Sequence, residues 1–288
     1  MLQKFTAFFM INFNGDLVSS NDNLLANNRG FLYGDAVFET LKIIDNQILF
    51  LEEHYFRLMS SMRILRMEIP MNFTLEFFEE QILSLTNANK LEASARIRFT
   101  VFRKSGGYYL PETNDINFLI SVKQLDNKLY IFDNSKYEVD LFKDFYVSKH
   151  LLSTLKTTNK LINITGSIFA KENNLDNCLL INESKNIVES LNGNIFMLLN
   201  NKLITPPISE GCLNGIIRKK IIELAKKTEN LEVLEAVISP FDLQKADELF
   251  ITNIIKGIQP ITQYRKKSFD SKISEMLLSQ LNKKIVVS

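Results

Sequence analysis

Lys156 in the stretch STLKTTNKL, Glu189 in NIVESLNGNIF, and the segment CLNGIIRKKI beginning at Cys212 are the parts of this chain whose residue types suit covalent chemistry. A lysine amine condenses reversibly with an aldehyde, and a carboxylate can keep a ring nitrogen protonated. A helix that starts after a glycine offers free backbone N–H groups to a phosphate. Each feature has an ordinary explanation by itself, because lysines and glutamates at strand ends are mostly solvated surface residues. Together, in this order, they suit a site for pyridoxal phosphate, an aldehyde on a heterocycle with a phosphate tail.

The elements that must carry these residues follow from period and punctuation. Asn14 and Gly15 between two apolar runs predict a tight hairpin. Strands are expected from Ala36 to Ile44 and from Gln47 to Leu51, joined at Asp45 and Asn46. From Glu52 the spacing of Leu58, Met62 and Leu65 predicts an amphipathic helix with glutamates in its first turn, ending near Pro70. A second helix is expected from about Thr74 to Leu85, followed by strands in ARIRFTVFR and INFLISVKQL.

The second half offers strand-like YEVDLF and FYVSKHLL, then a helix over about Asn159 to Glu172 and strands in CLLINE, NIFMLL and KLITPP. Helices follow from Gly215 to Lys227, from Pro240 to Lys245 with Ser239 as cap, and near the C-terminus. Strands mostly precede and separate helices without a strict repeat, which predicts a mixed α+β or α/β architecture in two parts. The boundary is placed where the chain turns polar: a smaller N-terminal domain over 1–125, and a larger C-terminal domain over 129–288 that carries Lys156.

Composition narrows the function classes. The 288 residues are 45% hydrophobic and 23% charged, an ordinary soluble balance with enough apolar mass for a sizeable core. The 34 basic and 33 acidic residues are well mixed, leaving no broad field to attract nucleic acid or an anionic membrane, so neither is expected as a partner. Cys178 and Cys212 show no CxxC spacing and are expected as free thiols, and two histidines are too few for a structural zinc site. The start MLQKFTAFFMINF lacks a small-residue cleavage site and is read as a first strand. No apolar run approaches the ~18 residues that span a bilayer. A cytoplasmic address is the resulting expectation. The ten glycines form neither a GxSxG elbow nor a GxxxxGK phosphate loop, which leaves hydrolase and nucleotide-binding functions without support.

Seven segments, NRGFLYGDAVFETLK, EEHYFRL, ARIRFTVFR, LKTTNKL, IVESLNGNIF, ITPPISEGCLNGIIR and ADELFITNIIKGIQPI, arrive in one order over nearly the whole chain. In that order the sequence resembles the fold type IV pyridoxal phosphate enzymes, the class IV aminotransferase family of branched-chain and D-amino acid aminotransferases and aminodeoxychorismate lyase. The resemblance implies two α/β domains with pyridoxal 5'-phosphate between them, and a homodimer whose partner lends residues to each site. It implies that Lys156 bonds the cofactor and shuttles the substrate proton, while Lys160, one helical turn later, stays solvated. By the same resemblance Glu189 pairs with the pyridine nitrogen, Arg57 and the amides of Ile216 and Ile217 after Gly215 hold the phosphate, and Leu213 packs on the ring. Asn253 and Ile254 add a further contact.

The resemblance also puts Tyr33, Phe38, Arg98 and Arg103 on the substrate side, where arginines suit a carboxylated amino compound. Strand alternation places Arg96 and Arg98 on one face and Arg103 on the other unless the strand has ended. RKSGGYY and the Thr252-Asn253 pair resemble the lyase branch. Elimination of pyruvate from aminodeoxychorismate to give p-aminobenzoate is therefore the first expectation. Transamination between a branched-chain or D-amino acid and a 2-oxo acid is the second.

Overall fold

Asn14 and Gly15 take positive φ angles of 53° and 101° in the computed structural model, which describes residues 10–19 and 27–287. They close the hairpin between β1 (Met10–Phe13) and β2 (Asp16–Ser19). The stretch before Met10 lies outside the described residues. A short helix α1 (Arg29–Tyr33) follows, capped by the Asn28 side chain and ended by Gly34 in the left-handed conformation. Next come β3 (Ala36–Ile44) and β4 (Gln47–Ile48), joined through Asp45 and Asn46 with φ of 47° and 62°. The strand expected to reach Leu51 stops earlier because Phe50 turns left-handed, at φ 55°, and opens α2 (Leu51–Ile64).

The end of α2 likewise precedes Pro70: Arg66 at φ 58° turns the chain first. Thr74 caps α3 (Leu75–Ala88) through its hydroxyl. β5 (Ser94–Arg103) and β6 (Ile116–Gln124) complete an antiparallel six-stranded sheet in the order β2-β1-β6-β5-β3-β4. Leu58, Met62, Phe78 and Ile82 of the two helices belong to one core with Leu41, Ile43, Ile97 and Phe99 of the sheet. Phe99 lies 4.6 Å from Phe78 and 5.3 Å from Phe118 between ring centres. Each such side chain contributes about 1.5–3 kcal/mol on burial. All nine residues of β3 are buried, so both of its faces are covered.

The second half contains β7 (Glu138–Val147), α4 (Leu161–Glu172), β8 (Asn177–Asn182), β9 (Ile187–Ser190), β10 (Asn194–Leu199), β11 (Lys202–Thr205) and α5 (Ile216–Ala225). It continues through β12 (Glu232–Glu235), β13 (Glu248–Asn253), β14 (Gly257–Ile261), β15 (Gln263–Tyr264), β16 (Lys267–Ser268) and α6 (Lys272–Val287). Two five-stranded sheets result, β12-β11-β10-β13-β14 and β16-β15-β7-β8-β9. The two strands expected in YEVDLF and FYV are the single β7, irregular between Phe142 and Val147. The helix expected over 240–245 is only a 3-10 turn at Asp242–Gln244. Ser239 and Asp242 do form reciprocal cap bonds, but β13 begins too soon for a helix to propagate.

The chain forms two compact units, Met1–Lys128 with Lys156–Asn159, and Leu129–Leu155 with Lys160–Ser288. Lys156 was expected with the second half, but its backbone extends the ladder of β3 where β4 no longer runs. Phe38 N donates to Lys156 O at 2.8 Å and Thr158 N to Ala36 O at 3.1 Å. Among the described residues no helix is long and apolar enough to cross a membrane, and no group of three or more His, Cys, Asp or Glu side chains could hold a metal ion.

Candidate active site

The backbone pairing with β3 fixes Lys156 beside Phe38. Its Nζ lies 4.7 Å from the centre of the Phe38 ring, and the Arg98 guanidinium lies 3.7 Å from the same centre. Register explains the grouping: Thr40 faces Arg98 across the β3–β5 ladder, and Phe38 follows two residues along the same face. Arg98 donates to Thr100 Oγ1 at 3.3 Å and has no carboxylate partner among the described residues. Burial, and then the charge of Arg96, lower its pKa from the ordinary arginine value. Phe38, Arg98 and Lys156 are thus brought together, with the two cationic groups on one aromatic ring.

Arg57 sits on α2 against Glu39 of β3. Its Nε donates to Glu39 Oε1 at 2.7 Å and its Nη2 to Oε2 at 2.5 Å, a two-pronged pair in which Glu39 is buried. His54, one helical turn before Arg57, meets Glu39 Oε2 through Nδ1 at 2.7 Å. Burial opposes the charge on Glu39, but the Arg57 guanidinium and His54 overcome it and hold the carboxyl down at about 2. Burial also keeps His54 below the ordinary histidine value despite the pull of Glu39. A neutral His54 donates to Glu39 from Nδ1, and its Nε2 has no hydrogen-bond partner among the described residues.

In the second unit, Glu189 on β9 accepts a hydrogen bond from Leu213 N at 3.0 Å, which joins two residues expected around the ring. Asn194 Nδ2 holds Leu213 O at 2.7 Å, fixing the turn into Gly215 and α5. No side chain caps α5, so the amides of its first turn, beginning with Ile216 and Ile217, are open to an anion. A Cβ on Gly215 would lie 2.0 Å from Asn194 Oδ1, so any larger residue would have to displace the Asn194 amide. Burial and then the Glu189 charge push the Cys212 thiol up to about 12, and burial pushes Cys178 up to about 11, so both remain thiols.

Several other expected residues have partners within the chain. Asn253 Oδ1 accepts from Ile255 N at 3.0 Å and Lys256 N at 2.9 Å, closing its own turn, and Ile254 O accepts from Tyr130 Oη at 2.9 Å. Their neighbour Thr252, directly across β13–β10 from Asn194, has a buried hydroxyl with no partner among the described residues. The sequence marked Thr252 only as part of the Thr252-Asn253 pair, and strand alternation next to Asn253 would have put its side chain on the other face. Tyr33 lies against Arg29 and Tyr109. Arg103, expected on the substrate side, uses all five N–H donors on Asp35, Asn114 and the carbonyls of Leu65 and Arg66, leaving none for a ligand in this arrangement.

The family described as amino-transferase class IV matches residues 36–264. The chain belongs to the class IV aminotransferases. A putative branched-chain-amino-acid aminotransferase of Methanocaldococcus jannaschii is 29% identical over 272 residues, 94% of this chain and 93% of that one. The solved structure of the Escherichia coli branched-chain amino acid aminotransferase is similar with a TM-score of 0.84 at 22% identity, over 95% of this chain and 93% of that one. The putative 4-amino-4-deoxychorismate lyase of Legionella pneumophila gives a TM-score of 0.82 at 23% identity, over 92% and 96%.

A class IV aminotransferase is an enzyme that works with pyridoxal 5'-phosphate. Three observations fit that group: the uncapped start of α5, the close approach that Gly215 allows, and the orphaned Thr252 hydroxyl suit a phosphate. Glu189, tied to the Leu213 amide, suits a protonated ring nitrogen.

Proposed function

We propose that this class IV aminotransferase transfers the amino group of an amino acid to a 2-oxo acid. The observation that carries this reading is Arg98, a half-buried cation without a carboxylate partner among the described residues, on the same Phe38 ring as the Lys156 amine. A substrate carboxylate paired with Arg98 would place the adjacent carbon, with its amino group, toward Lys156.

When bound, the cofactor supplies an aldehyde that captures the substrate amine and a ring that accepts the electron pair released at the α-carbon. Lys156, Arg57, Glu189, Leu213, Thr252 and the first amides of α5 would hold it. Lys156 Nζ would remove the α-proton as general base and, as general acid, deliver it to the cofactor carbon that had carried the aldehyde, so that the amino group stays with the cofactor until a 2-oxo acid takes it. Glu189 would keep the ring nitrogen protonated and so make the ring a stronger acceptor of electrons. Arg57, oriented by its two bonds to Glu39, and the first amides of α5 would each offer N–H donors to the phosphate. Phe38 supplies an apolar wall that limits water beside the amine.

Aminodeoxychorismate lyase activity is the second reading, favoured by the polar face on which Thr40 and Arg98 lie opposite each other, which suits a carboxylated ring more than an aliphatic side chain. Incubating the loaded enzyme with branched-chain L-amino acids, D-alanine and aminodeoxychorismate separates the two. A cofactor absorbance change with amino acids, without pyruvate from aminodeoxychorismate, is the expected result. Pyruvate release in the absence of any amino-acid half-reaction would move the assignment to the lyase.

The active form proposed is a homodimer. On the first unit Tyr108, Tyr109 and Leu110 are 82%, 93% and 84% exposed, and Phe31 and Leu32 of α1 are exposed too. Apolar surface of this kind favours coverage by a second copy.

A further inference from the structure

Asp35, between the end of α1 and the start of β3, is one carboxylate shared by two buried arginines. Its Oδ2 accepts from Arg29 Nε and from Arg103 Nε, both at 3.0 Å, and its Oδ1 accepts from Arg103 Nη2 at 3.3 Å. The two arginines then reach different parts of the chain. Arg29 Nη1 donates to the carbonyls of Gly106, Gly107 and Tyr108 at 2.8, 3.2 and 2.7 Å. Arg103 donates to the carbonyls of Leu65 and Arg66 beyond α2, at 2.8 and 3.2 Å, and to Asn114 Oδ1 at 2.6 Å.

The loop held by Arg29 has a shape its sequence requires. Gly107 has φ 69°, and a Cβ there would lie 2.2 Å from the Leu110 carbonyl oxygen. The loop carries Tyr109, whose ring meets the edge of Tyr33 at 6.0 Å, and the Arg29 guanidinium lies 4.8 Å from the Tyr33 ring centre. With side chains 3% and 8% exposed, the two guanidinium groups depend on the shared carboxylate for charge compensation.

We propose that Asp35 is a positioning residue: through Arg29 it fixes the loop at 106–108 and the Tyr33 ring, and through Arg103 it anchors the stem of that loop to the chain beyond α2. The functional consequence rests on the proposed reaction and on the expectation, from the family resemblance, that Tyr33 faces substrate. Removing the charge of Asp35 releases the three carbonyl bonds of Arg29 and the cation behind Tyr33, while the backbone pairing that places Lys156 is untouched. Substrate binding weakens and proton transfer at Lys156 does not.

Two cofactor-loaded variants test this. Asp35→Asn keeps the size of the side chain and drops its charge, whereas Arg29→Lys keeps the charge and loses the planar fork. Amide hydrogen exchange over residues 105–110 and steady-state kinetics with the amino donor are measured on both, with the cofactor absorbance showing that each is folded and loaded. Loop exchange is expected to rise about tenfold, and KM for the amino donor about tenfold, with kcat within about threefold of the parent. Unchanged exchange in Arg29→Lys, or a fall in kcat with KM unchanged, overturns the proposal. If Asp35→Asn does not load, Arg29→Lys alone decides. If the parent turns over no amino donor, the proposed reaction fails separately, and loop exchange still decides whether the clamp exists.

Discussion

Thr252 carries a buried hydroxyl with no hydrogen-bond partner among the described residues, and an unpaired buried hydroxyl costs about 1–3 kcal/mol. A phosphate oxygen would satisfy it. Thr252→Val is expected to weaken pyridoxal 5'-phosphate binding about tenfold while leaving pyridoxal, which lacks the phosphate, nearly unchanged. Titration followed at the cofactor absorbance checks this; an equal loss for both ligands would remove Thr252 from the phosphate site. Glu39 permits a second test. Its carboxyl is held at about 2 against an ordinary 4.5, so its contribution is complete above pH 4.5 and lost as pH falls toward 2. The stability gap between the parent and Glu39→Gln, about 3 kcal/mol at neutral pH, is expected to narrow over that window in urea unfolding. A constant gap would contradict the charged pair. Among single residues, Lys156 and Glu189 stood out in the sequence because their types and order are unusual in combination, and they remain the proposed cofactor residues. The engagement of Arg103 was not, because its acceptors include backbone carbonyls at Leu65 and Arg66, far back along the chain.

The start of α5 is the element on which phosphate binding rests. Gly215 there has an ordinary backbone angle, φ −68°, so its constraint is purely steric, from Asn194 Oδ1. Gly215→Ala is expected to lower stability by about 1–3 kcal/mol and to weaken cofactor binding, as the Asn194 amide loses its hold on Leu213. Thermal unfolding with and without cofactor measures both effects; a parent-like melting temperature would show that the turn yields freely. Elements with strong local signals were legible: β3 runs from Ala36 to Ile44 as its apolar run indicated, and Thr74 caps α3. The helix expected after Pro240 failed despite good caps, since capping lowers the cost of starting a helix without supplying residues to extend it.

For the whole molecule, two α/β parts could be read from the changing period, whereas the membership of Lys156–Asn159 in the first unit could not. That membership arises from backbone bonds to β3, between segments more than a hundred residues apart, and no local pattern encodes them. The exposed apolar surface of α1 and the 106–110 loop makes a prediction about assembly. Tyr109→Asp is expected to shift the protein from dimer to monomer in sedimentation velocity, because a charge buried without a partner at an interface is costly. A stable dimer in that variant would place the interface elsewhere.

The proposed chemistry depends on one amine, at Lys156, bonding the cofactor. Borohydride reduction of the pyridoxal 5'-phosphate-loaded protein, followed by proteolysis and peptide mass spectrometry, tests it directly. The expected result is a single phosphopyridoxyl label on Lys156. A label on Lys160, or none on either lysine, would contradict the account.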